Sequence, residues 1–456
     1  MTGLYPQQTG MVVVPKEGMN RQGDEYGAGE LSKQCVTIAE VLKSAGYGTY
    51  MTGKWHLTAQ FNPKTEAAKF GWPLQRGFDR YFGFIGAFNT YYAAKDLTRD
   101  NQHVDVDAES YSSDLYGDNA CTFIEDHVKN KTATPFFLYL AFKTPHWWIQ
   151  ASSEDIDSYK GVYDIGWDQI REQRFAREKE LGVVPATSEL SPRNEEVPAW
   201  SSLNPKQKAE YAQAMSICAG AITAMDRNIG KVLGTLEKTK QRENTLILFL
   251  SDNGACAEGA TEVREKGPHP SARIGAGWAN VGNTPFRYWK NTTWEGGSAT
   301  ELIVNWPLGV PPSQQGGITH ELGHLVDIMP TCVELAQATY PKEFKGNVIA
   351  PMEGSSLVPI FKGQSRPQRD IFWKYFSYEA ARSGYWKLMR ENDKMDWMLY
   401  DLSKDPTELH DVAKSNPEVV KSLQAKWKSW ADRVHAEAGP KSSPKKNGRS
   451  EGPKEK

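Results

Sequence analysis

Six residues in four short stretches carry side chains suited to handling an anionic ester. "GKWH" sets Lys54 and His56 two positions apart, on one side of an extended segment. An ammonium there can hold negative charge while an imidazole moves protons. In "TPHWW" a proline precedes His146 and helps fix a loop side chain. "SDNGA" offers Asp252 and Asn253, two hard oxygen donors of the kind that bind calcium or magnesium. Two donors leave most of such an ion's shell to come from elsewhere. "FRYWKNTTWEGG" places Lys290 among aromatics, ahead of a Gly-Gly turn. Each stretch alone is also a plain turn, a solvated lysine or a hydrogen-bonded histidine. Their weight comes from occurring together.

A fifth stretch points to different chemistry. "HELGH" matches H-E-x-x-H, in which His320 and His324 would bind zinc one helical turn apart and Glu321 would act as base. Gly316 and Gly317 precede it, so the motif would begin a helix rather than sit within one. Asp327 and Pro330 stand where a metzincin needs Gly and a third His.

The elements that position these residues can be read from periodicity. Thr37 and Glu40 form a capping box for a helix whose stripe is Ile38, Val41 and Leu42 and whose stop is Gly46. Three β-rich runs follow, at 48–56, 135–148 and 244–255, the last two of buried type. A long helix over 206–239 shows a 3.6 period through Met215, Cys218, Ile222, Met225, Ile229, Val232 and Leu236. Alternating helices and buried strands predict an α/β fold, a mostly parallel mixed sheet covered by helices on both faces. In such sheets ligands bind beyond the carboxyl ends of strands, where Lys54, His56, His146, Asp252 and Asn253 fall. One α/β domain over 1–364 is expected, with 149–206 inserted over the cleft. A smaller C-terminal antiparallel sheet plus helix is expected over 365–438, and a disordered Lys/Pro/Ser/Gly tail over 439–456.

Composition sets the limits. The chain has 456 residues, 39% hydrophobic and 24% charged, with a net charge of -2 that argues against nucleic acid as partner. No apolar stretch approaches membrane-spanning length. The five cysteines are scattered without C-x-x-C, which indicates neither a zinc cluster nor a disulfide framework. The 15 Trp and 19 Tyr suit a sugar- or aryl-binding cleft as well as a core.

Taken in order, these segments resemble the sulfatases, the arylsulfatase-like branch of the alkaline phosphatase superfamily. "GYGTYMTGKWHL" is similar to the family's G-Y-x-T-x-x-x-G-K-W-H signature, and "TPHWW", "FLSDNGA", "NTPFRYWKNTTWEGG", "HLVDIMPT" and "WMLYDLSKDPTELHDVA" follow in family order. "HELGH" then falls where sulfatases begin an ordinary helix. The resemblance implies a sulfuric ester hydrolase acting on an aryl or carbohydrate sulfate. It implies that Asp252 and Asn253 coordinate one calcium ion, and that Lys54 and Lys290 hold the sulfate oxygens. His56 would serve the hydrated aldehyde of the nucleophile, and His146 would protonate the leaving oxygen. The resemblance implies a periplasmic or secreted location. One departure stands out: Tyr375-Phe376-Ser377 occupies a place where many relatives read His-Glu-Gly.

In the family the nucleophile is formylglycine, made by a maturation enzyme from Cys or Ser in Cys/Ser-x-Pro-x-Arg, and an Asp pair further upstream completes the calcium site. None of the five cysteines here lies in that motif. "MTGLYP" at residues 1–6 resembles the segment just after it, so the expectation is an N-terminally truncated chain, inactive by itself. Alternatives are a phosphomonoester or phosphonate hydrolase of the same superfamily, or a non-catalytic anion- or glycan-binding pseudoenzyme. The reading frame upstream of Met1 is expected to encode Cys/Ser-x-Pro-x-Arg within about ten residues, since "MTG" would close its helix. Sequencing checks this, and an in-frame stop before the motif would favour the pseudoenzyme.

Overall fold

A computed structural model describes residues 1–16, 29–86, 89–130, 133–264 and 269–436. The tail expected over 439–456 lies outside the described residues. The chain divides into two compact units. One comprises Met1–Thr144, Thr223–Leu248 and Val304–Arg366, the other Pro145–Ile222, Phe249–Ile303 and Pro367–Lys456.

The first unit is built on a five-stranded sheet of β1 (Gly48–Lys54), β2 (Arg80–Phe84), β3 (Leu97–Arg99), β4 (Gln102–Val104) and β5 (Phe136–Ala141), in the order β4-β3-β2-β1-β5. β1 runs parallel to both β2 and β5, while β2, β3 and β4 pair antiparallel, so the sheet is mixed. The helix α1 (Ile38–Ser44) starts at the expected capping box: Thr37 Oγ1 accepts from Glu40 N at 3.0 Å, and Glu40 Oε2 accepts from Thr37 N at 2.9 Å. Strand alternation sends Tyr50 and Met51 to opposite faces. Tyr50 packs with Phe82, Phe84 and the α2 (Ser112–Asn130) residues Tyr116 and Phe123. Met51 packs with Tyr81, Phe78 and Ala39 of α1. Both faces are thus covered.

Three expectations about buried surfaces need correction. Residues 136–141 form a strand, but β5 ends its sheet, and Tyr139 is 37% exposed. Among the described residues the run at 247–250 joins no larger sheet: it pairs with Leu302–Asn305 in a two-stranded ladder, and Phe249 is 44% exposed. Apolar composition alone cannot tell a central strand from an edge. The long helix spans Pro205–Lys238 as expected, but its buried face is shifted. Ile222 is exposed, while Ala214, Ala221, Ala224 and Asn228 are buried. Close packing through small side chains explains the shift. Asn228 donates to Asp114 Oδ1 at 2.7 Å beside Gly117, where a Cβ would lie 2.5 Å from Asn228 Oδ1.

In the second unit the tryptophans of the 149–206 segment serve a core. Trp167 and Trp200 are buried against Trp278, with ring centroids 4.8–5.8 Å apart. The C-terminal region forms the expected antiparallel sheet, in which the structure places four strands, Asp370–Tyr375, Tyr378–Ser383, Trp386–Arg390 and Met398–Asp401. The helix Pro417–Arg433 that follows buries Leu423, Trp427 and Trp430. Lys387, on the third of these strands, is fully buried between two glutamates, its Nζ 2.6 Å from Glu295 Oε1 and 2.7 Å from Glu408 Oε1. Burial alone would lower the Lys387 pKa, but the two carboxylates outweigh it and raise it. Removing one member of such a cluster strands the others without solvent. Lys387→Met is therefore expected to cost about 3–5 kcal/mol in urea unfolding, far more than a change at the exposed ion pair Lys428–Asp432.

Candidate active site

In the first unit, Gly53 prepares the position of Lys54. Its φ is +107°, and a Cβ there would run into the Ala141 carbonyl of β5, so only glycine permits this strand approach. Lys54 is the last residue of β1. Strand alternation therefore does not carry on to His56, whose left-handed φ of +53° turns the chain. Its backbone N donates to Ile85 O at 2.9 Å, and its ring Nε2 lies 3.2 Å from Pro15 O. Between them Trp55 is buried and donates from Nε1 to Gly71 O at 2.8 Å. A left-handed residue other than glycine persists only where its surroundings hold it, often at functional sites.

No sequence pattern singles out Lys143. It lies two residues past the end of β5, is 4% exposed, hydrogen-bonds the Asn89 carbonyl, and sits 4.2 Å from the Tyr91 ring centroid. No carboxylate pairs with it among the described residues. Burial first, and then the nearby Lys54 charge, lower its pKa to about 7.

In the second unit His146 and Lys290 are gathered around Glu258, a carboxylate that no sequence pattern singles out. Glu258 Oε2 accepts from Trp147 Nε1 at 2.9 Å, Oε1 accepts from Asn291 Nδ2 at 2.9 Å, and Lys290 Nζ stands 3.9 Å from Oε1. Burial would raise the Glu258 carboxyl, but Lys290, the two hydrogen bonds and His146 outweigh it and hold it below the usual range. His146 Nδ1 lies 2.8 Å from the Trp147 carbonyl. Tyr375, from the segment that departs from the family pattern, donates to Asn291 Oδ1 at 2.8 Å, and burial pushes its hydroxyl up to about 12. Tyr288 and Asn291 are left-handed, with φ of 60° and 77°, so Lys290 sits in a tightly bent loop.

Asp252 is exposed, and Asn253 next to it donates from Nδ2 to Gly254 O at 2.9 Å. Their turn is tied to the Lys290 loop: Lys290 N donates to Ala255 O at 3.0 Å, and Gly254 N to Gly297 O at 3.2 Å. The expected Gly-Gly turn is a short helix, Glu295–Ser298. Gly296 matters there, since a Cβ on Gly254 would strike its carbonyl. As calcium donors Asp252 and Asn253 fit in kind, but they supply only part of the six to eight oxygens such an ion takes. No group of three or more His, Cys, Asp or Glu is arranged for a metal among the described residues. Cys256, near Lys290, is no nucleophile by its environment, because burial and Glu258 push its thiol up.

The zinc-type motif does not form a helical pair. Its stretch is irregular, and the expected helix begins only with the turn Leu325–Asp327 and then Ile328–Leu335. His324 caps that turn, Nδ1 accepting from Val326 N at 3.2 Å, and His320 is exposed.

The sulfatase family model matches residues 1–338, and the model for the C-terminal part of N-sulphoglucosamine sulphohydrolase matches 286–433. The chain belongs to the sulfatase family. Sulfatases are sulfuric ester hydrolases, and this chain is one by descent. It is similar to the arylsulfatase of Klebsiella aerogenes, 33% identical over 410 residues that cover 81% of this chain and 82% of that one. An N-acetylglucosamine-6-O-sulfatase of Bacteroides thetaiotaomicron is 23% identical, covering 87% of this chain and 73% of the relative. Among solved structures, Ps i-CgsB in complex with k-i-k-neocarrahexaose superposes with a TM-score of 0.66 at 23% identity, covering 94% of this chain and 80% of that one. Among the described residues no helix is long and apolar enough to cross a membrane.

Lys143 makes stability depend on pH. With its folded pKa near 7 and an ordinary lysine value once unfolded, the unfolded chain binds the extra proton between the two. Stability should therefore rise from about pH 7 towards pH 10. Thermal melts of Lys143→Met are expected to show a higher midpoint at pH 7 and a flatter rise above it.

Proposed function

We propose that this sulfatase acts on sulfated carbohydrate, with Lys54 and Lys290 binding the sulfate oxygens and His146 delivering a proton to the leaving oxygen. The observation that carries this is the grouping of Lys290 and His146 about Glu258. Lys290 is half-buried at 3.9 Å from the carboxylate, near enough to be held and far enough to keep donors for a ligand. A sulfate ester spreads negative charge over its oxygens, and fixed cations stabilise the charge that grows on the bridging oxygen. His146 fits the second need, because an alkoxide leaves poorly without a proton.

Asp252 and Asn253 are the residues that would hold the calcium ion of the family, which when bound supplies Lewis-acid polarisation of the sulfate. His56, turned by its left-handed backbone and set near Pro15 O, is assigned to the side of the nucleophile. That nucleophile is the family's formylglycine, installed by a maturation enzyme. The segment 149–206 is read as an insertion that shapes the substrate entrance, and export to the periplasm or beyond fits the extracellular location of sulfated glycans. The carbohydrate preference draws on the glycan sulfatases among the relatives.

The test is steady-state hydrolysis of 4-nitrophenyl sulfate with calcium, using the product of the reading frame extended upstream to the Cys/Ser-x-Pro-x-Arg motif and co-expressed with a formylglycine-generating enzyme. Lys290→Ala and His146→Ala are each expected to lower kcat by about 100-fold or more. His320→Ala should leave it unchanged. Faster turnover of 4-nitrophenyl phosphate than of the sulfate would instead support the phosphomonoesterase reading.

A further inference from the structure

Next to His146 in the second unit lies a cluster that the proposed chemistry does not use. Arg264 Cζ stands 3.5 Å from the centroid of the Trp148 ring and Arg273 Cζ 3.9 Å from it. Arg273 also lies 4.7 Å from the Trp147 ring. A three-stranded antiparallel sheet sets this up. Ile149 pairs with Ala272 and Ala272 with Val263, so alternation puts Arg264 and Arg273 on the same face of adjoining strands. The floor is equally specific: a Cβ on Gly259 would come 2.7 Å from Arg273 Nη1.

Two like charges on one indole need an anion to settle them. Arg264 has one, Glu262, at 2.9 Å, but that pair is largely exposed and contributes little. Arg273 has no hydrogen-bonded or ion-paired partner among the described residues, and its Nε is buried without an acceptor. Burial and Arg264 lower its pKa against the pull of Glu262. A guanidinium that had only a structural role would be expected to reach a carbonyl or carboxylate, as Arg171 does with the carbonyls of Ser191 and Asn280. Both guanidiniums are oriented by aromatic contact, which costs little further ordering when an oxyanion binds across their N–H groups.

We infer that Arg264 and Arg273, held on Trp148, form a subsite for a second acidic group, sulfate or carboxylate, on a neighbouring unit of the sugar chain whose sulfate is cleaved. The inference rests on the sulfatase reading and extends it: the substrate is a polyanionic oligosaccharide rather than a lone aryl sulfate. Continuity with the candidate site supports the placement. Trp147, which Arg273 also covers, donates to the same Glu258 that faces Lys290. The cationic subsite therefore begins one side chain away from the sulfate-binding lysine.

The test is isothermal titration of the full chain with two probes, a chondroitin 6-sulfate tetrasaccharide and 4-nitrophenyl sulfate. A hyaluronan tetrasaccharide, with carboxylates only, separates the two kinds of acidic group. Arg264→Gln and Arg273→Gln are each expected to weaken the sulfated tetrasaccharide by about tenfold and to leave 4-nitrophenyl sulfate unchanged. Arg264 is 44% exposed, so its variant keeps the fold, and melting curves verify this for both. Unchanged tetrasaccharide affinity in both variants would overturn the subsite, as would equal weakening of both probes. Wild-type chain that binds 4-nitrophenyl sulfate as tightly as the tetrasaccharide would also overturn it while leaving the sulfatase reading intact. Binding of neither probe would count against both.

Discussion

Lys387 sits out of solvent between Glu295 and Glu408, and much of the second unit is fixed through that contact. A buried charge of either sign is costly unless paired, so the strand bearing Lys387, the short helix bearing Glu295 and the loop bearing Glu408 must assemble together. Glu408 reinforces this by accepting from Glu295 N at 2.7 Å and, through its carbonyl, from Arg287 at 3.0 Å. Both ends of the loop that carries Lys290 are thereby anchored to the C-terminal region. The same helix holds Gly296 and Gly297, against which the Asp252-Asn253-Gly254 turn closes. The C-terminal sheet is in this sense part of the machinery that aims the lysine.

The candidate residues are held by backbone geometry that the local sequence does not favour. His56, Tyr288 and Asn291 are left-handed without being glycine, and each lies within two residues of a lysine assigned to sulfate binding. Such conformations cost free energy and persist because neighbouring strands and hydrogen bonds over-determine them. In the first unit burial, and after it the nearby charge of Lys54, lowers the Lys143 pKa. An anion arriving between such groups would relieve the repulsion, which is the electrostatic condition a sulfate-binding site needs.

The sequence by itself determined the fold class, the family, and which residue types are available for chemistry. Capping at Thr37 and Glu40, the extent of the long helix and the antiparallel C-terminal sheet are decided by local spacing and stand as read, whereas the extended run expected over 48–56 ends as a strand at Lys54. What only the tertiary structure decided is which groups share an environment. Glu258 meets Trp147 across 111 positions and Lys387 meets Glu295 across 92, and no periodicity encodes such pairings. Nor could it show that β5 is an edge, that Ile222 is exposed while small residues are buried, or that Trp167 and Trp200 fill a core. Local preference acts over a few residues along the chain. Burial, charge pairing and strand neighbourhood are set by whatever the folded chain brings alongside, and that is where this protein placed Glu258, Lys143 and the two stacked arginines.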